Sequence, residues 1–350
     1  MAAVPAILDL IQNGLKKKLN DGGGVVKDLF AAAMSRKMGK SSEDIGFGTL
    51  GCMSCCSCLD GIIMGKVKAK LGMANLRLLI SGGAPLSSET QAFCSAALAP
   101  VAQGYGATET VGCATVQEVI QQPGSGRPIE SGTGHVGAIQ PATEVKLLSV
   151  DEMGYLITDD PPRGEILVSG NNVSEHGYYK LPEKTAEDFI THSDGKIWFH
   201  TGDIGVVMKD GNLKIVDRKK DLIKLSGGEY VSLGKVEAGL KQVTGIGACV
   251  VFAQAHKDYC VVVVSQPEKG WGSVGGKPDE ETLVKDIATT LKKMKFAKFE
   301  IPTKAKVCDG EPWTPESGLV TASLKVQRNP LRNHYNGEGG LLAQMDYRFE

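Results

Sequence analysis

Residues 76–93 read LRLLISGGAPLSSETQAF, and this stretch decides the fold class. Residues 76–81 form a short apolar run typical of a buried strand, and the Gly-Gly-Ala-Pro sequence after them favours a turn. Ser88 followed by Gln91 matches a capping box and predicts a helix that continues to about Leu98. A strand, a glycine-rich turn and a helix in this order predict an α/β sheet.

The predicted secondary structure changes twice after this segment. Residues 132–216 predict short strands separated by Gly, Asp and Asn, with one helix at 182–190. Beyond Asp221, two apolar runs, ACVVFAQ and CVVVVSQ, alternate with helical patterns and predict a compact α+β unit. We therefore expect an α/β domain with a small β subdomain over residues 1–217 and a smaller α+β domain over residues 218–350.

Composition and charge argue against several classes of function. The 350 residues carry 39 basic and 40 acidic side chains, and this net charge of −1 does not favour nucleic acid or an anionic membrane surface. No apolar run reaches the roughly 18 residues of a transmembrane helix. The opening MAAVPAILDLIQNGLKKKL predicts an amphipathic helix and not a signal peptide, with Ile7, Leu10, Ile11 and Leu15 on one face.

The nine cysteines fall into two groups. Five stand singly, mostly in apolar surroundings typical of small buried thiols: Cys94, Cys113, Cys249, Cys260 and Cys308. The other four crowd into CMSCCSC as Cys52, Cys55, Cys56 and Cys58. Structural zinc, palmitoylation and a loop of reduced thiols are all open for this cluster. No second cysteine pair follows at zinc-finger spacing, which disfavours zinc, and the loop is favoured because motif matches this short are weak.

The sequence QGYGATET at residues 103–110 combines groups that together suit a nucleotide with Mg²⁺. Tyr105, between two glycines, offers an aromatic face with close backbone approach, which suits an adenine ring. Thr108 offers a hydroxyl donor for phosphate, and Glu109 offers the hard carboxylate oxygen that Mg²⁺ prefers. Taken alone, the same residues also fit a glycine-rich turn with a helix-capping threonine.

Three further motifs accompany QGYGATET in a fixed order: SGGAPLS at 81–87, HTGDI at 200–204 and DRKKDLIKLSGGEYVS at 217–232. This ordered set resembles the adenylate-forming superfamily of acyl-CoA synthetases, luciferases and peptide-synthetase adenylation domains. The flanking sequences, among them RGEILVSGNNVSEHGYYK and EPWTPESGLVT, resemble eukaryotic long-chain fatty-acid–CoA ligases. The resemblance covers essentially residues 1–335.

The resemblance implies roles for individual residues in nucleotide binding. Gly83, Ala84 and Pro85 match the loop along one side of the adenine, and Tyr105 matches the residue that stacks on its other face. Thr108 and Glu109 match the phosphate and magnesium contacts. Asp203 matches the carboxylate that holds the ribose hydroxyls, and Arg218 matches a second ribose contact.

Three further residues would serve the chemistry and the movement between its two steps. Lys220 matches the hinge about which a small mobile C-terminal domain rotates, and Gly228 matches a glycine near the thioester-forming site. Lys325 aligns with the lysine that promotes attack of a fatty carboxylate on the α-phosphate of ATP. Relatives carry a more basic stretch of the form FKLKRK where this chain has LKVQRN, so the sequence departs from the family here.

The implied function is that of an AMP-forming long-chain fatty-acid–CoA ligase, which uses ATP, Mg²⁺, a long-chain fatty acid and coenzyme A through an acyl-adenylate. The implied location is the cytoplasm, or a peripheral position on the cytosolic face of endoplasmic-reticulum-type membranes. The family's phosphate loop, a Ser/Thr/Gly-rich run ending in Pro-Lys-Gly, lies upstream of MAAVP in relatives. We therefore expect this chain to correspond to the C-terminal half of a ligase and to be inactive by itself. The alternative is a non-catalytic nucleotide- or partner-binding protein.

Overall fold

The computed structural model of the protein describes residues 1–22, 24–39, 60–121, 128–130, 132–174, 176–243, 246, 248–266, 271, 276–310, 312–322 and 325–349. Across these residues, no helix combines the length and the apolar character that crossing a bilayer requires. The cysteine cluster at 52–58 lies outside the described residues.

Contacts divide the chain into two compact units. Unit 1 comprises Met1–Ser149, Leu156–Thr201 and Gly205–Ile215, and unit 2 comprises Val150–Tyr155, Gly202–Ile204 and Val216–Glu350. The division into domains at residues 217 and 218 stays a prediction, and each unit is described separately below.

The regular elements of the described residues are as follows. The helices are α1 (Pro5–Gly22), α2 (Gly24–Met38), α3 (Asp60–Lys70), α4 (Ser88–Ala97), α5 (Pro182–Asp188), α6 (Leu233–Leu240), α7 (Glu280–Lys293), α8 (Arg328–Tyr335) and α9 (Leu341–Gln344). The first strands are β1 (Ala2–Ala3), β2 (Leu79–Ser81), β3 (Val101–Tyr105), β4 (Thr115–Val116), β5 (Val119–Gln121), β6 (Pro128–Glu130), β7 (Ala138–Ile139), β8 (Thr143–Leu148) and β9 (Arg163–Gly170). The remaining strands are β10 (Phe189–Thr191), β11 (Ile197–Val207), β12 (Leu213–Arg218), β13 (Leu222–Lys224), β14 (Tyr230–Ser232), β15 (Cys249–Phe252), β16 (Val261–Val264) and β17 (Lys304–Val307).

One sheet of unit 1 has the order β1-β2-β3-β4-β7, with its first three strands parallel. Helix α4 connects β2 to β3, and a parallel pair needs such a crossover. The core beside this sheet contains Leu8, Phe30, Met34, Leu79 and Phe93, all fully buried. The predicted glycine-rich turn, helix and α/β class are confirmed. The predicted strand is shorter than expected, because only Leu79–Ser81 of residues 76–81 pair in the sheet.

The predicted cap of α4 was wrong by one residue. Ser87, not Ser88, is the N-cap, because its hydroxyl accepts the backbone N–H of Thr90 at 3.0 Å. Gln91 points inward instead of capping, and it is fully buried.

The predicted apolar face of α1 was also partly wrong. Leu10 is 64% exposed, whereas Leu8 and Leu15 are buried. Two residues turn an α-helix by about 200°, so Leu10 lies nearly opposite Leu8. The core-facing side therefore follows Leu8, Gln12 and Leu15.

A second sheet has the order β10-β11-β9-β8, and β12 pairs with β11. Strand β9 is buried along nearly its whole length, consistent with its GEILVSG sequence. Ile166, Val168, Phe199 and Leu213 form the core of this region. Strands with one intervening helix confirm the pattern predicted for residues 132–216 in outline. Strand β11, at 11 residues, is longer than the short strands expected, and the helix predicted at 182–190 ends at Asp188.

Unit 2 contains the three-stranded sheet β15-β16-β17, which is covered on both faces. Val251 and Val262 belong to a core cluster with residues of α6 and α7. Val250 and Val261 belong to another cluster with residues of α8 and α9. A strand buried on both faces reads as a continuous apolar run, which explains CVVF and VVVV. The predicted α+β unit is confirmed.

Candidate functional site

The turn after β2 and the loop after β3 leave the same edge of the sheet. The two strands are parallel with Ser81 opposite Gln103, so both carboxyl ends lie at the same edge of the sheet, and β3 extends two residues further, to Tyr105. A Cβ placed on Gly82 would lie 3.0 Å from the carbonyl oxygen of Gly104, so the two backbones approach closely. The exposed turn at residues 83–85 therefore lies beside the QGYGATET loop.

The QGYGATET loop folds back on itself. The N–H of Ala114 donates to the carbonyl of Tyr105 at 2.8 Å, and the N–H of Gly112 donates to the carbonyl of Ala107 at 2.9 Å. A Cβ on Gly106 would lie 2.5 Å from the carbonyl oxygen of Gly112, so only glycine fits here. Tyr105 is thereby fixed at the end of β3, with its side chain half-buried.

Thr108 and Glu109 lie in a single 3-10 turn, Thr108–Thr110. The hydroxyl of Thr110 accepts the N–H of Ala107 at 2.9 Å, and the carbonyl of Glu109 accepts the N–H of Ser174 at 2.9 Å. Thr108 is exposed and Glu109 is half-buried. The turn thus displays a hydroxyl and a carboxylate on a backbone that is held at both ends.

Tyr178 holds the carboxylate of Glu109. Its hydroxyl lies 2.6 Å from Glu109 Oε1 and 3.0 Å from Asp188 Oδ2. Lys184 Nζ donates to the other oxygen of Asp188 at 2.8 Å. Burial, together with the two carboxylates that accept from the phenol, strongly raises the pKa of Tyr178. The phenol therefore keeps its proton and has one hydrogen bond to share between two acceptors.

Three buried glutamines form a hydrogen-bonded network at the base of the QGYGATET loop, and Gln103 is the first residue of that loop. Gln91 Nε2 donates to Gln117 Oε1 at 2.7 Å, and Gln103 Nε2 donates to Gln91 Oε1 at 2.7 Å. The backbone N–H of Gln103 also donates to Gln117 Oε1, at 2.8 Å. A hydrogen-bonded network of buried amides stiffens the elements that it joins, here α4, β3 and the segment after β4.

Asp203 and Arg218, the two predicted ribose contacts, are brought together in unit 2. Arg218 Nε donates to Asp203 Oδ1 at 2.9 Å. The side chain of Asp203 is 13% exposed and that of Arg218 is 63% exposed. The arginine thus orients a carboxylate that is otherwise largely enclosed.

Asp217, which precedes Arg218, has a perturbed pKa. Burial raises the pKa of this carboxyl from 3.8 to about 6, although hydrogen bonds from Ser232 and from the backbone of Arg218 lower it. The pKa of Asp217 is therefore higher in the folded protein than in the unfolded chain. For this reason, the contribution of this carboxyl to the free energy of unfolding is complete below pH 3.8. It is lost as the pH rises through about 6. A negative charge beside Arg218 therefore appears between about pH 5 and 7.

The other predicted residues of unit 2 are exposed. Lys220 is the middle residue of the 3-10 turn Lys219–Asp221, directly after β12. Gly228 lies between β13 and β14 with φ +92°, in open space, so its backbone conformation is what favours glycine. Lys325 is exposed, and its backbone N–H donates to the hydroxyl of Thr321 at 3.0 Å.

The donor set fits a magnesium ion that is shared with phosphate, and it does not fit a site made by protein alone. Within the described ranges, no group of three or more His, Cys, Asp and Glu side chains converges. Mg²⁺ commonly takes one or two carboxylates and completes its shell with phosphate oxygens and water. Glu109 meets that requirement.

Of the single cysteines, four are buried and Cys113 is exposed, which confirms the prediction for most of them.

Comparison with known proteins assigns the family. The model of the AMP-binding enzyme family matches residues 1–179, just over half of the chain. The chain belongs to the AMP-binding enzyme family.

Relatives of this chain include proteins named as ligases of long-chain acids. Long chain acyl-CoA synthetase 8 of Arabidopsis thaliana is 41% identical over 356 residues, which cover 97% of this chain and 47% of that protein. Long-chain-fatty-acid–CoA ligase 2 of Schizosaccharomyces pombe is 32% identical, over 97% of this chain and 49% of that protein. The chain spans about half the length of these relatives.

Solved adenylation domains share the fold of this chain. The adenylation domain of a carboxylate reductase from Mycobacterium chelonae has a TM-score of 0.72 and 26% identity, over 99% of this chain and 46% of that one. The corresponding domain from Segniliparus rugosus, solved with AMP and a co-purified carboxylic acid, has a TM-score of 0.69 and 25% identity, over 98% and 47%.

Sequence reasoning missed two parts of this candidate site. Tyr178 lies within GYYK, a stretch that entered only as part of a resemblance, and nothing in it pointed to Glu109, 69 residues away. The glutamine network was missed because Gln91 was assigned to a capping box, while Gln103 and Gln117 look ordinary in their own segments. Both features are contacts between residues of different segments, which the local sequence does not reveal.

Proposed function

We propose that this chain supplies the nucleotide-binding and lysine-bearing part of a long-chain fatty-acid–CoA ligase. Such a ligase forms acyl-CoA from a fatty acid, ATP and coenzyme A through an acyl-adenylate. The observation that carries the proposal is the QGYGATET loop beside the 83–85 turn at the carboxyl edge of β2 and β3, where open α/β sheets bind ligands. The named relatives support the long-chain substrate.

Each part of the nucleotide has a matching group. The ring of Tyr105 offers one face to the adenine, and the 83–85 turn offers backbone to the other side. The paired Asp203 and Arg218 offer an acceptor and a donor to the ribose hydroxyls. Thr108 offers its hydroxyl to the phosphates.

Glu109 is the group that would hold Mg²⁺. When bound, the ion would neutralise charge on the phosphate oxygens. Tyr178 donates to the Glu109 carboxylate at 2.6 Å, so the carboxylate is oriented before any ligand arrives.

Lys325 would serve the first half-reaction. Attack of a carboxylate on the α-phosphate brings two anions together, and a nearby ammonium lowers that electrostatic cost in the transition state. The exposed position of Lys325 leaves its side chain accessible to such a substrate.

Lys220 and Gly228 would serve the second half-reaction, in which the thiol of coenzyme A attacks the acyl-adenylate and releases AMP. An exposed turn between two strands can absorb the dihedral change of a hinge, as proposed for Lys220. The open space at Gly228 leaves room for the pantetheine arm.

The proposal is tested by completing the chain. We define the completed ligase as the amino-terminal half of the Arabidopsis relative joined to these 350 residues. It is expected to form acyl-CoA from ATP, oleate and coenzyme A, measured by chromatography. The 350-residue chain alone is expected to form none, because its sequence contains no Ser/Thr/Gly-rich run ending in Pro-Lys-Gly to hold the β- and γ-phosphates.

The controls are the intact Arabidopsis relative and its amino-terminal half alone. An inactive completed ligase beside an active intact relative would favour the non-catalytic binding alternative. Product from the 350-residue chain alone would show that the phosphates are held by other groups.

A further inference from the structure

The side chain of Arg328 makes three long-range polar contacts within unit 2. Arg328 is the first residue of α8, and its side chain is only 22% exposed. Nη2 donates to Glu237 Oε1 at 2.7 Å, Nη1 donates to Asp221, and Nε donates to the carbonyl of Val251 at 3.2 Å. The partners lie 77 to 107 residues away in the sequence.

The two carboxylates are themselves enclosed. The side chains of Asp221 and Glu237 are 26% and 18% exposed. Glu237 Oε1 also accepts the backbone N–H of Val251 at 2.9 Å, so helix α6 and strand β15 are joined through the same oxygen. A planar guanidinium with several fixed donors suits such a junction, whereas an ammonium would serve fewer of these partners at once.

Arg328 directly follows a short ladder that carries Lys325. Val320 and Val326 form an isolated antiparallel bridge, and Gln327 N–H donates to the carbonyl of Leu319 at 2.9 Å. Thr321 N–H donates to the carbonyl of Lys325 at 2.8 Å. We define the lysine ladder as the described residues of 319–327. It ends one residue before Arg328.

Asp221, which accepts from Arg328, lies next to the predicted hinge residue Lys220. It directly follows Lys220 and ends the 3-10 turn Lys219–Asp221. A movement that begins at Lys220 would therefore carry Asp221 with it, and Arg328 transmits that displacement to the ladder.

We propose that Arg328 is a positioning residue that ties the lysine ladder to Asp221, α6 and β15, so that Lys325 moves as one body with the chain after Lys220. The proposal rests on the proposed function for the role of Lys325. Compared with the FKLKRK form, LKVQRN keeps two basic side chains, Lys325 and Arg328, which are three residues apart.

The test is hydrogen–deuterium exchange of the 350-residue chain, read by mass spectrometry. Arg328→Met is expected to raise exchange in the lysine ladder at least tenfold, while strand β16 stays as in the parent. Arg328→Lys keeps the charge and is expected to restore part of the protection. Arg332→Met is the matched control, because Arg332 lies one turn later on α8 and packs over the ring of Phe349 at 5.4 Å.

The exchange measurements distinguish a local effect on the lysine ladder from a general loss of stability, and they do not require an active enzyme. Unchanged ladder exchange would overturn the proposal, and so would a uniform rise that includes β16, since that is what a general loss of stability produces. If Arg328→Met fails to fold, the same comparison with Glu237→Gln decides, because this substitution removes one charge and leaves an acceptor in place.

A second measurement uses the completed ligase. Arg328→Met is expected to slow acyl-adenylate formation at least tenfold with the KM for ATP unchanged, because Lys325 acts in the transition state. A loosened ladder with an unchanged rate would overturn the positioning role. An inactive parent completed ligase would count against the proposed function alone, and the exchange experiment would still decide the tie.

Discussion

Lys325→Ala in the completed ligase is expected to lower acyl-adenylate formation by about 10²–10³-fold or more. Loss of a single transition-state charge contact of this kind costs about 3–4 kcal/mol. Thioester formation from a supplied acyl-adenylate should stay largely intact, because that step no longer brings a carboxylate against the triphosphate. The two half-reactions are measured separately, by pyrophosphate release and by acyl-CoA formation.

The matched control is Lys293→Ala, which removes an exposed lysine at the end of α7 in the same unit. It should leave both half-reactions unchanged. Equal loss of both half-reactions in Lys325→Ala would contradict the assignment of this lysine to adenylation.

Lys220→Pro is expected to have the opposite effect, with thioester formation reduced by about 100-fold and adenylate formation retained. Proline fixes φ near −65°, which a 3-10 turn accepts, and it prevents the dihedral change that a hinge needs. Proline also disfavours a helical conformation in the residue before it, here Lys219, so a modest loss of stability is expected as well.

Lys219→Pro provides the comparison for that substitution. The residue before it, Arg218, already has φ −115° and ψ 126°, the extended conformation that proline favours in its predecessor. Lys219→Pro should therefore be accommodated and leave rotation at Lys220 open. If both variants lost thioester formation equally, the hinge would not be at Lys220.

The order of elements could be predicted from the sequence because local patterns determine it. LRLLIS formed a strand over its last three residues, the GGAPL turn and the following helix formed as predicted, and CVVF and VVVV became strands covered on both faces. Errors arose where the prediction had to place an individual residue on the correct face or at the correct end of a helix. Leu10 was assigned to the buried face of α1 although the helical period places it opposite Leu8.

The support of the candidate site could not be predicted in the same way. Tyr178 contacts Glu109 across 69 residues and Arg328 contacts Asp221 across 107. Such pairs depend on how strands and helices pack, and the residues themselves have no distinctive local pattern. The display of Tyr105, Thr108 and Glu109 was easier, because adjacent positions on one turn stay together in any fold.

Binding of AMP to the 350-residue chain, measured by titration calorimetry, tests the central claim most directly, since AMP has no β- or γ-phosphate. The chain is expected to bind AMP, and Tyr105→Ala is expected to weaken binding by about 5–150-fold, the loss of one base–aromatic stack worth about 1–3 kcal/mol. Tyr179→Ala, at a tyrosine that is 86% exposed, should bind as the parent does. Equal affinity in the Tyr105→Ala variant and the parent would contradict the placement of adenine against the QGYGATET loop.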